Sequence, residues 1–220
     1  MISETLSAIE APWTSVDLAA SDLKSPEWQR ARSIAITDDW AGKAAARERH
    51  AEARILWSDA ALHIRFVGNQ LEPPLVNTNP QLQTKTIGLW DRDVCEIFIA
   101  PDAKKPERYF EFEAAPTGEW LDLAVHWNPI KRETDWEFDS GMTVGKEIEK
   151  DRVMIAMRIP WSDAIPKPTE GERWRINLFR CAGTGWDRYL AWRPTRTEEP
   201  NFHVPEAFGW LVFGDKRGNS

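Results

Sequence analysis

Three glutamates form the group of side chains best suited to chemistry in this sequence. The runs 94–99 and 109–114 alternate apolar with polar residues, which is the period of a β-strand with one face in the core. This alternation turns Glu96 away from the core in the first run, and Glu111 and Glu113 away from it in the second. The segment between the runs carries a proline at each end, which predicts a hairpin connection. If the two strands pair, the three carboxylates share one outer face of a sheet.

Carboxylates that lie together on an open sheet face have three interpretations. The first is a solvated face, because strand exteriors are polar by default. The second is a sugar site, since Trp90 lies just before the first strand. A Trp ring offers an apolar plane to a pyranose, and carboxylates accept hydrogen bonds from its hydroxyls. The third is a glycosidase pair, which needs one protonated and one ionised carboxylate about 5 to 9 Å apart. The residues alone leave all three open.

Other catalytic motifs are missing from the sequence. The histidines show neither HxH nor HExxH spacing, so a zinc site is not expected and each is interpreted as a surface or satisfied polar residue. They are His50, His63, His126 and His203. No nucleophile elbow, phosphate-binding loop or dinucleotide loop occurs. Asp91 and Asp93 could offer oxygen ligands to calcium. Cys95 and Cys181 are too few for a disulfide scaffold and are predicted to be buried free thiols.

The composition is that of a folded, acidic protein. The 220 residues include 42% hydrophobic and 29% charged positions, and the formal net charge is −7. This hydrophobic fraction excludes a disordered chain, and the acidic balance argues against nucleic acid or a membrane surface as a partner. No apolar run approaches the roughly 20 residues of a membrane helix. The N-terminus lacks the features of a secretory signal, so the expected compartment is the cytoplasm unless a leader has been removed.

Alternating runs along the chain predict an all-β protein. The expected fold is an antiparallel β-sandwich of the jelly-roll kind with few short helical turns, in a single domain over residues 1–220. The predicted strands are 33–37, 52–57, 62–67, 94–99, 109–114, 120–126, 152–159, 173–181, 188–192 and 209–213. Most of the 13 Trp are expected in its core and a few on a binding platform.

The sequence also predicts the connections between the strands, which are a hairpin, two helical turns and one long loop. The runs 52–57 and 62–67 surround a short polar turn and predict a hairpin. Prolines predict helical turns that open at 26–29 and 160–163. The segment 68–89 lacks a periodic signal and leads directly into Trp90. Loops of this length are usually functional or disordered.

Several of these stretches, taken together, resemble the family 9 carbohydrate-binding modules. The similarity extends from about residue 30 to residue 213. It is most specific in the sequence Leu-Trp-Asp-Arg-Asp-Val-Cys-Glu-Ile-Phe-Ile and in the closing Phe-Gly. The stretches that carry it are 55–59, 89–99, 159–161 and 200–209.

The resemblance implies a DOMON-like sandwich that binds sugar without catalysis. The sugar ring would lie between two aromatic side chains, which correspond to Trp90 and Phe202, and Glu96 would bond its hydroxyls. The implied partners are mono- or oligosaccharides, such as the ends of β-glucan or xylan, with neither nucleic acid nor membrane. No cofactor is implied other than structural calcium. We therefore expect a carbohydrate-binding site at Trp90, Glu96, Glu111, Glu113 and Phe202.

The sequence departs from the family pattern at three positions. Phe202 replaces a Trp and offers a smaller platform. Glu111 stands where the family has a basic residue, which turns a donor into an acceptor. Phe179 is the nearest match to a Gln, so another polar contact is lost. These departures leave the fold prediction intact but leave the sugar undefined.

Two other functions are weighed beside sugar binding. The first is a sugar-active hydrolase that uses Glu96 with Glu111 or Glu113. The second is a haem-binding redox module, because DOMON-like sandwiches include haem-binding domains. Haem would need axial ligands from the histidines or from a methionine. The methionines considered are Met142, Met154 and Met157, and alternation places the last of these on a core face.

Overall fold

Fourteen β-strands and five short 3-10 helices form the regular structure of residues 7–216, the part of the chain that the computed structural model describes. The strands are β1 (Ala8–Ala11), β2 (Ile34–Ile36), β3 (Asp38–Asp39), β4 (Ala51–Trp57), β5 (Ala61–Asn69), β6 (Val94–Ala100), β7 (Arg108–Ala114), β8 (Trp120–Trp127), β9 (Arg132–Asp135), β10 (Thr143–Ile148), β11 (Arg152–Pro160), β12 (Arg173–Cys181), β13 (Tyr189–Ala191) and β14 (Gly209–Phe213). The 3-10 helices are Pro26–Arg30, Arg47–Arg49, Leu89–Asp91, Trp186–Arg188 and Pro205–Ala207. No helix within residues 7–216 is long and apolar enough to cross a membrane.

The strands form two sheets that pack face to face. The larger sheet has nine strands in the order β1-β14-β12-β6-β7-β8-β9, with β13 added to β12 and β3 to β13. The smaller sheet has five strands in the order β10-β11-β5-β4-β2. Every pairing is antiparallel except that of β1 with β14. The predicted all-β sandwich with little helix is confirmed.

Both predicted hairpins are present. They are formed by β4 with β5 and by β6 with β7, and all ten predicted strands occur with ends shifted by at most a few residues. Prediction missed β1, β3, β9 and β10. These are short or polar edge strands, which lack the apolar alternation of a half-buried strand. The predicted turn at 26–29 is a 3-10 helix, whereas the one predicted at 160–163 is a loop without helix.

The main core lies between the two sheets. Cys95, Ile97 and Ile99 of β6 point into it, together with Trp57 and Trp174, and each of these side chains is at most 2% exposed. Burial of this apolar area is the main favourable term in folding. A second apolar cluster lies on the opposite face of the larger sheet, so that sheet is covered on both faces.

The long loop between β5 and β6 is fixed at its beginning by a buried arginine. Arg180 donates to the carbonyl oxygen of Asn69 at 2.6 Å and to the Gln70 Oε1 at 2.9 Å. Gln70 in turn donates to the Asp93 carboxylate at 3.3 Å. Gly68 is required beside this arginine, because a Cβ there would lie 1.3 Å from Nη1 of Arg180.

Glu119, which is 0% exposed, fixes the rest of the loop. Its Oε1 accepts hydrogen bonds from the Asn77 side chain at 2.7 Å, from the Gln81 backbone at 3.3 Å and from Thr86 at 3.3 Å. Lys85 forms an ion pair with the buried Asp122 at 2.9 Å. The loop that precedes Trp90 is therefore ordered by buried carboxylates.

We predict that Glu119→Ala destabilises the protein by about 3 kcal/mol, because several donors lose a charged acceptor and such bonds contribute about 1.5 to 3 kcal/mol each without simple additivity. Chemical denaturation measures this loss. Hydrogen exchange should locate it at the backbone amide of Gln81. Glu170→Ala, at an exposed position, is the matched control, and an equal effect of both variants would contradict the anchoring role.

Candidate functional site

The register of β6 against β7 brings the three predicted glutamates together. Glu96 lies directly across from Glu113, and Glu111 is two residues away on β7, so all three side chains share one sheet face. One carboxylate oxygen from each lies within 4.8 Å of those of the other two. We call Glu96, Glu111 and Glu113 the glutamate cluster.

The face of the cluster was predicted correctly, but its solvent exposure was not. The three glutamates point away from the core between the sheets, as alternation indicates. They are nevertheless buried: Glu96 is 2% exposed, Glu111 is 3% exposed and Glu113 is 0% exposed. The apolar second cluster and the loops around it cover this face. The interpretation as an open, solvated face is therefore wrong.

A pocket of about 310 Å³ opens above the cluster. We call it the central pocket. Glu96 and Glu111 lie in its lining, while Glu113 lies behind them. The other lining residues are Trp90, Phe98, Leu123, Arg132, Thr134, Trp136, Cys181, Tyr189, Pro200, Asn201, Phe202 and His203. Four of the five predicted site residues, all except Glu113, thus line one pocket.

Trp90 is placed in the pocket by the short helix Leu89–Asp91. Leu89 is fully buried and anchors this helix, and Gly88 enters it in the left-handed region at φ 81°, a conformation that glycine adopts without strain. Trp90 remains partly exposed and lies against Trp136, with ring centroids 6.3 Å apart at 46°. These two rings form one aromatic wall.

Phe202 is both a wall of the pocket and a packed core residue. Its ring stacks on Phe179 with centroids 4.0 Å apart at 12°, and Tyr189 meets it edge-on at 5.9 Å. Phe202 is 9% exposed. Phe179 therefore supports the ring of Phe202 from one side.

Burial makes the glutamate cluster strongly basic for carboxylates. It raises the pKa of Glu96 to about 8, with a further increase from the negative charge of Glu111. Burial also raises the pKa of Glu111 to about 7. The pKa of Glu113 lies well above its ordinary value, first through burial and then through repulsion by the other two. A carboxyl group removed from water favours its neutral form.

Several oxygens of the cluster lack hydrogen-bond donors. As carboxylates, Oε2 of Glu111 and both oxygens of Glu113 are buried without a donor, and a proton held by Glu113 forms a hydrogen bond to Glu111. Glu96 receives a weak hydrogen bond from the Cys181 thiol at 3.5 Å. Both cysteines are buried and free, as predicted.

His203 contributes a neutral ring to the pocket wall. Burial lowers its pKa to about 3. Its Nδ1 is hydrogen-bonded to the Tyr109 hydroxyl at 2.7 Å, and that hydroxyl receives a hydrogen bond from the Trp127 indole at 3.3 Å. The interpretation of this histidine as a satisfied polar residue is therefore correct, although it also lines the pocket.

The pocket residues contributed by β9 and its neighbours were not predicted from the sequence. Arg132, Thr134 and Trp136 lie in a polar stretch without alternation, and Tyr189 begins a three-residue strand. The one available signal was an excess of Trp, which predicts a platform without indicating which Trp forms it.

Of the two aspartates considered for calcium, Asp93 already accepts hydrogen bonds on both of its oxygens. Oδ1 of Asp93 accepts a hydrogen bond from the Gly183 backbone at 2.8 Å, and Oδ2 accepts from Gln70 at 3.3 Å. Both oxygens therefore face N–H donors, whereas calcium needs oxygen ligands. Asp91 is exposed.

The methionines considered for haem do not share a site. Met142 and Met157 pack in the core between the sheets, whereas Met154 packs in a separate cluster on the outer face of the smaller sheet. Each is at most 6% exposed.

A two-sheet β-sandwich with a small aromatic-walled pocket on one sheet defines a ligand-binding domain. Residues 23–216 match the family described as carbohydrate family 9 binding domain-like. The chain belongs to this family, the family 9 carbohydrate-binding modules, and its function is carbohydrate binding.

Solved structures show the same fold at low sequence identity. A candidate carbohydrate-binding protein from Bacteroides uniformis ATCC 8492 superposes with a TM-score of 0.72 at 17% identity, over 94% of this chain and 98% of its own. A family 9 module from Caldicellulosiruptor kristjanssonii in complex with cellotriose gives 0.67 at 15% identity, over 97% of both chains. Its complex with glucose gives 0.64 at 17% identity, over 97% and 99%. No curated protein sequence matches this chain.

We predict that the free energy of unfolding contributed by the cluster falls as the pH rises from about 4.5 to about 8. The folded pKa values of Glu96 and Glu111 lie above the ordinary 4.5, so the folded state binds more protons in this window and loses stability as they leave. Glu113→Gln removes one buried acid. At pH 8 it should therefore be more stable than the unsubstituted protein by about 2 kcal/mol, the scale of a buried unpaired group.

Denaturation midpoints at pH 4.5 and pH 8 test this. His63 and His203 have pKa values lowered by burial to about 4 and about 3, and they contribute the opposite slope below pH 6.5. Comparison with the Glu113→Gln variant cancels that contribution. An exposed Glu170→Gln control should follow the unsubstituted protein at both pH values, and a Glu113→Gln profile parallel to it would contradict the prediction.

Proposed function

We propose that the central pocket is the sugar-binding site of this carbohydrate-binding domain and that it holds one sugar ring. The ring would lie against Trp90 and Trp136 and would direct hydroxyls toward Glu96 and Glu111. The ligand class is a mono- or oligosaccharide, such as the end of a β-glucan or xylan chain.

The observation that carries this proposal is the meeting of Trp90, Glu96 and Phe202 in one pocket. The first two are close in sequence, but Phe202 is more than a hundred residues away. An aromatic face beside hydrogen-bond acceptors matches a pyranose, which has an apolar C–H face and a polar rim. A pocket of about 310 Å³ is at the lower end of the range for ligand sites, about 300 to 1,000 Å³.

The surroundings of the pocket support a ligand longer than one ring. Trp136 lines the central pocket and also a neighbouring groove that contains Ile87 and Trp120. Trp136 is 42% exposed, so its ring is available to a second sugar. Structures of the same fold were solved with cellotriose and with glucose, which supports both ligand lengths.

We expect binding to be modest and to depend on Trp90. Stacking and a few hydroxyl hydrogen bonds contribute about 1 kcal/mol each, which corresponds to dissociation constants of about micromolar to millimolar. Trp90→Ala removes the platform and should reduce affinity for the tightest-binding sugar of a panel below detection in calorimetry.

Trp186→Ala is the matched control. Trp186 is 60% exposed and does not line the central pocket, so its loss should leave affinity within about twofold. Equal losses in both variants would argue against a specific platform at Trp90.

The hydrolase alternative draws support from the burial of the glutamates. A carboxylate on an open, wet sheet face would lack the raised pKa of a general acid, but these glutamates are buried, so solvent exposure gives no reason to exclude hydrolysis. We still propose that the domain does not cleave its ligand. Glycosidases need one protonated and one ionised carboxylate whose pKa values are pushed apart. Here burial raises the pKa values of Glu96 and Glu111 together, to about 8 and about 7.

Incubation of the protein with cello-oligosaccharides and xylan should therefore release no new reducing ends above buffer. A reducing-sugar assay at pH 5 and pH 7 measures this. Cleavage that is abolished by Glu111→Gln, while binding by the same variant persists, would establish the hydrolase function instead.

A further inference from the structure

We propose that the central pocket prefers a sugar that carries a protonated amine, such as a glucosamine unit at the end of a β-linked chain. This proposal rests on the proposed function, because it names the class of sugar for the same site. It is carried by the three buried carboxyl groups at the bottom of the pocket, with which no Arg or Lys of the described residues forms an ion pair.

Within the described residues, the positive charges that act on the glutamate cluster come from Arg132 and Arg188, and both stand beyond ion-pair distance. No arginine or lysine of residues 7–216 forms an ion pair with any of its three members. The basic group closest to it is His203, whose Nδ1 lies 3.9 Å from Oε2 of Glu111. This nitrogen is hydrogen-bonded to the Tyr109 hydroxyl, and burial keeps the ring neutral.

The cluster also offers acceptors that no residue outside it fills; without ligand, a retained proton joins Glu113 to Glu111 by a hydrogen bond. Oε2 of Glu111, a residue of the pocket lining that is 3% exposed, has no donor outside the cluster. Neither oxygen of Glu113 has one, and this residue is fully buried behind the lining. Buried acceptors without donors are costly. An ammonium group supplies three donors and a positive charge, whereas a hydroxyl supplies one donor and brings lone pairs of its own.

The walls of the pocket suit a cation as well as a sugar ring. Trp90, Trp136 and Tyr189 line it, and aromatic faces attract cations through their quadrupoles. An amino sugar can place its ring on a Trp while its ammonium group reaches Glu111. A bare metal ion would use the carboxylates but not the aromatic walls.

Binding of an ammonium group is coupled to proton release. Without ligand, burial and mutual repulsion retain protons on the cluster. A bound cation favours the ionised carboxylates, so a proton leaves the cluster for the buffer as the complex forms. The titratable and charged groups that face the cluster are Arg132, Arg188, Asp91, Cys181, Tyr109 and His203.

Calorimetry with glucosamine, glucose and N-acetylglucosamine at pH 6.5 tests the preference. Below about pH 7.7 an amine of this kind is mostly protonated, so glucosamine is the only cation among the three. We expect it to bind at least tenfold more tightly than glucose and to show a binding heat that changes with the ionisation enthalpy of the buffer. N-acetylglucosamine, which is neutral, should bind no more tightly than glucose.

Variants connect the preference to the cluster. Glu111→Gln should reduce the preference for glucosamine to threefold or less, and Glu96→Gln provides a second test if the first variant unfolds. Glu206→Gln, at an exposed position outside the pocket lining, should retain the full preference.

The outcomes distinguish this proposal from the proposed function. Equal or tighter binding of glucose overturns the preference and leaves the proposed function intact. Absence of binding to every sugar, cellotriose and xylotriose included, overturns both. Calcium uptake by the cluster, followed by equal affinity for glucosamine and glucose, shows a metal site and overturns the preference.

Discussion

The pairing of β6 with β7 is the constraint on which the rest of the site depends. Antiparallel register places Glu96 opposite Glu113, and the two-residue period of a strand places Glu111 on the same face. The opposite face of the same strands supplies Ile97, Ile99 and other residues to the main core. A shift of one residue would move the glutamates into that core. The apolar packing between the sheets therefore also stabilises the arrangement of the carboxylates.

The covering of this face determines the chemistry of the carboxylates. The loop before β6 is held by buried polar contacts at Gln70 and Glu119, and it leads into the short helix that carries Trp90. The segment around Phe202 covers the other side through its stack on Phe179. Water is thereby excluded from three acidic groups, which is why the pKa values of Glu96 and Glu111 rise. On an open sheet the same residues would be ordinary ionised surface groups.

The site combines features that usually occur separately. Aromatic walls and hydroxyl-binding acceptors are suited to a neutral sugar, whereas a buried acidic cluster without an Arg or Lys ion-pair partner among the described residues is suited to a positively charged ligand. The family establishes that the chain is a carbohydrate-binding module. Glu111 is the member of the cluster that lies in the pocket lining with an oxygen that no residue outside the cluster fills.

Sequence alone determined the fold class, the faces of the strands and the selection of Trp90 and Glu96 as candidate sugar-binding residues. Those properties follow from local periodicity and motif spacing, which survive in any well-packed sandwich. Sequence alone did not indicate that the glutamate face is buried, because that burial depends on a long loop and a distant segment folding over the sheet. Nor did it identify Trp136 or Arg132 in the pocket, since β9 has no apolar alternation and reaches the site only through its pairing with β8. Tertiary contacts between distant parts of the chain bury the glutamate face and bring Trp136 and Arg132 into the pocket. The same contacts raise the pKa values of the carboxyl groups.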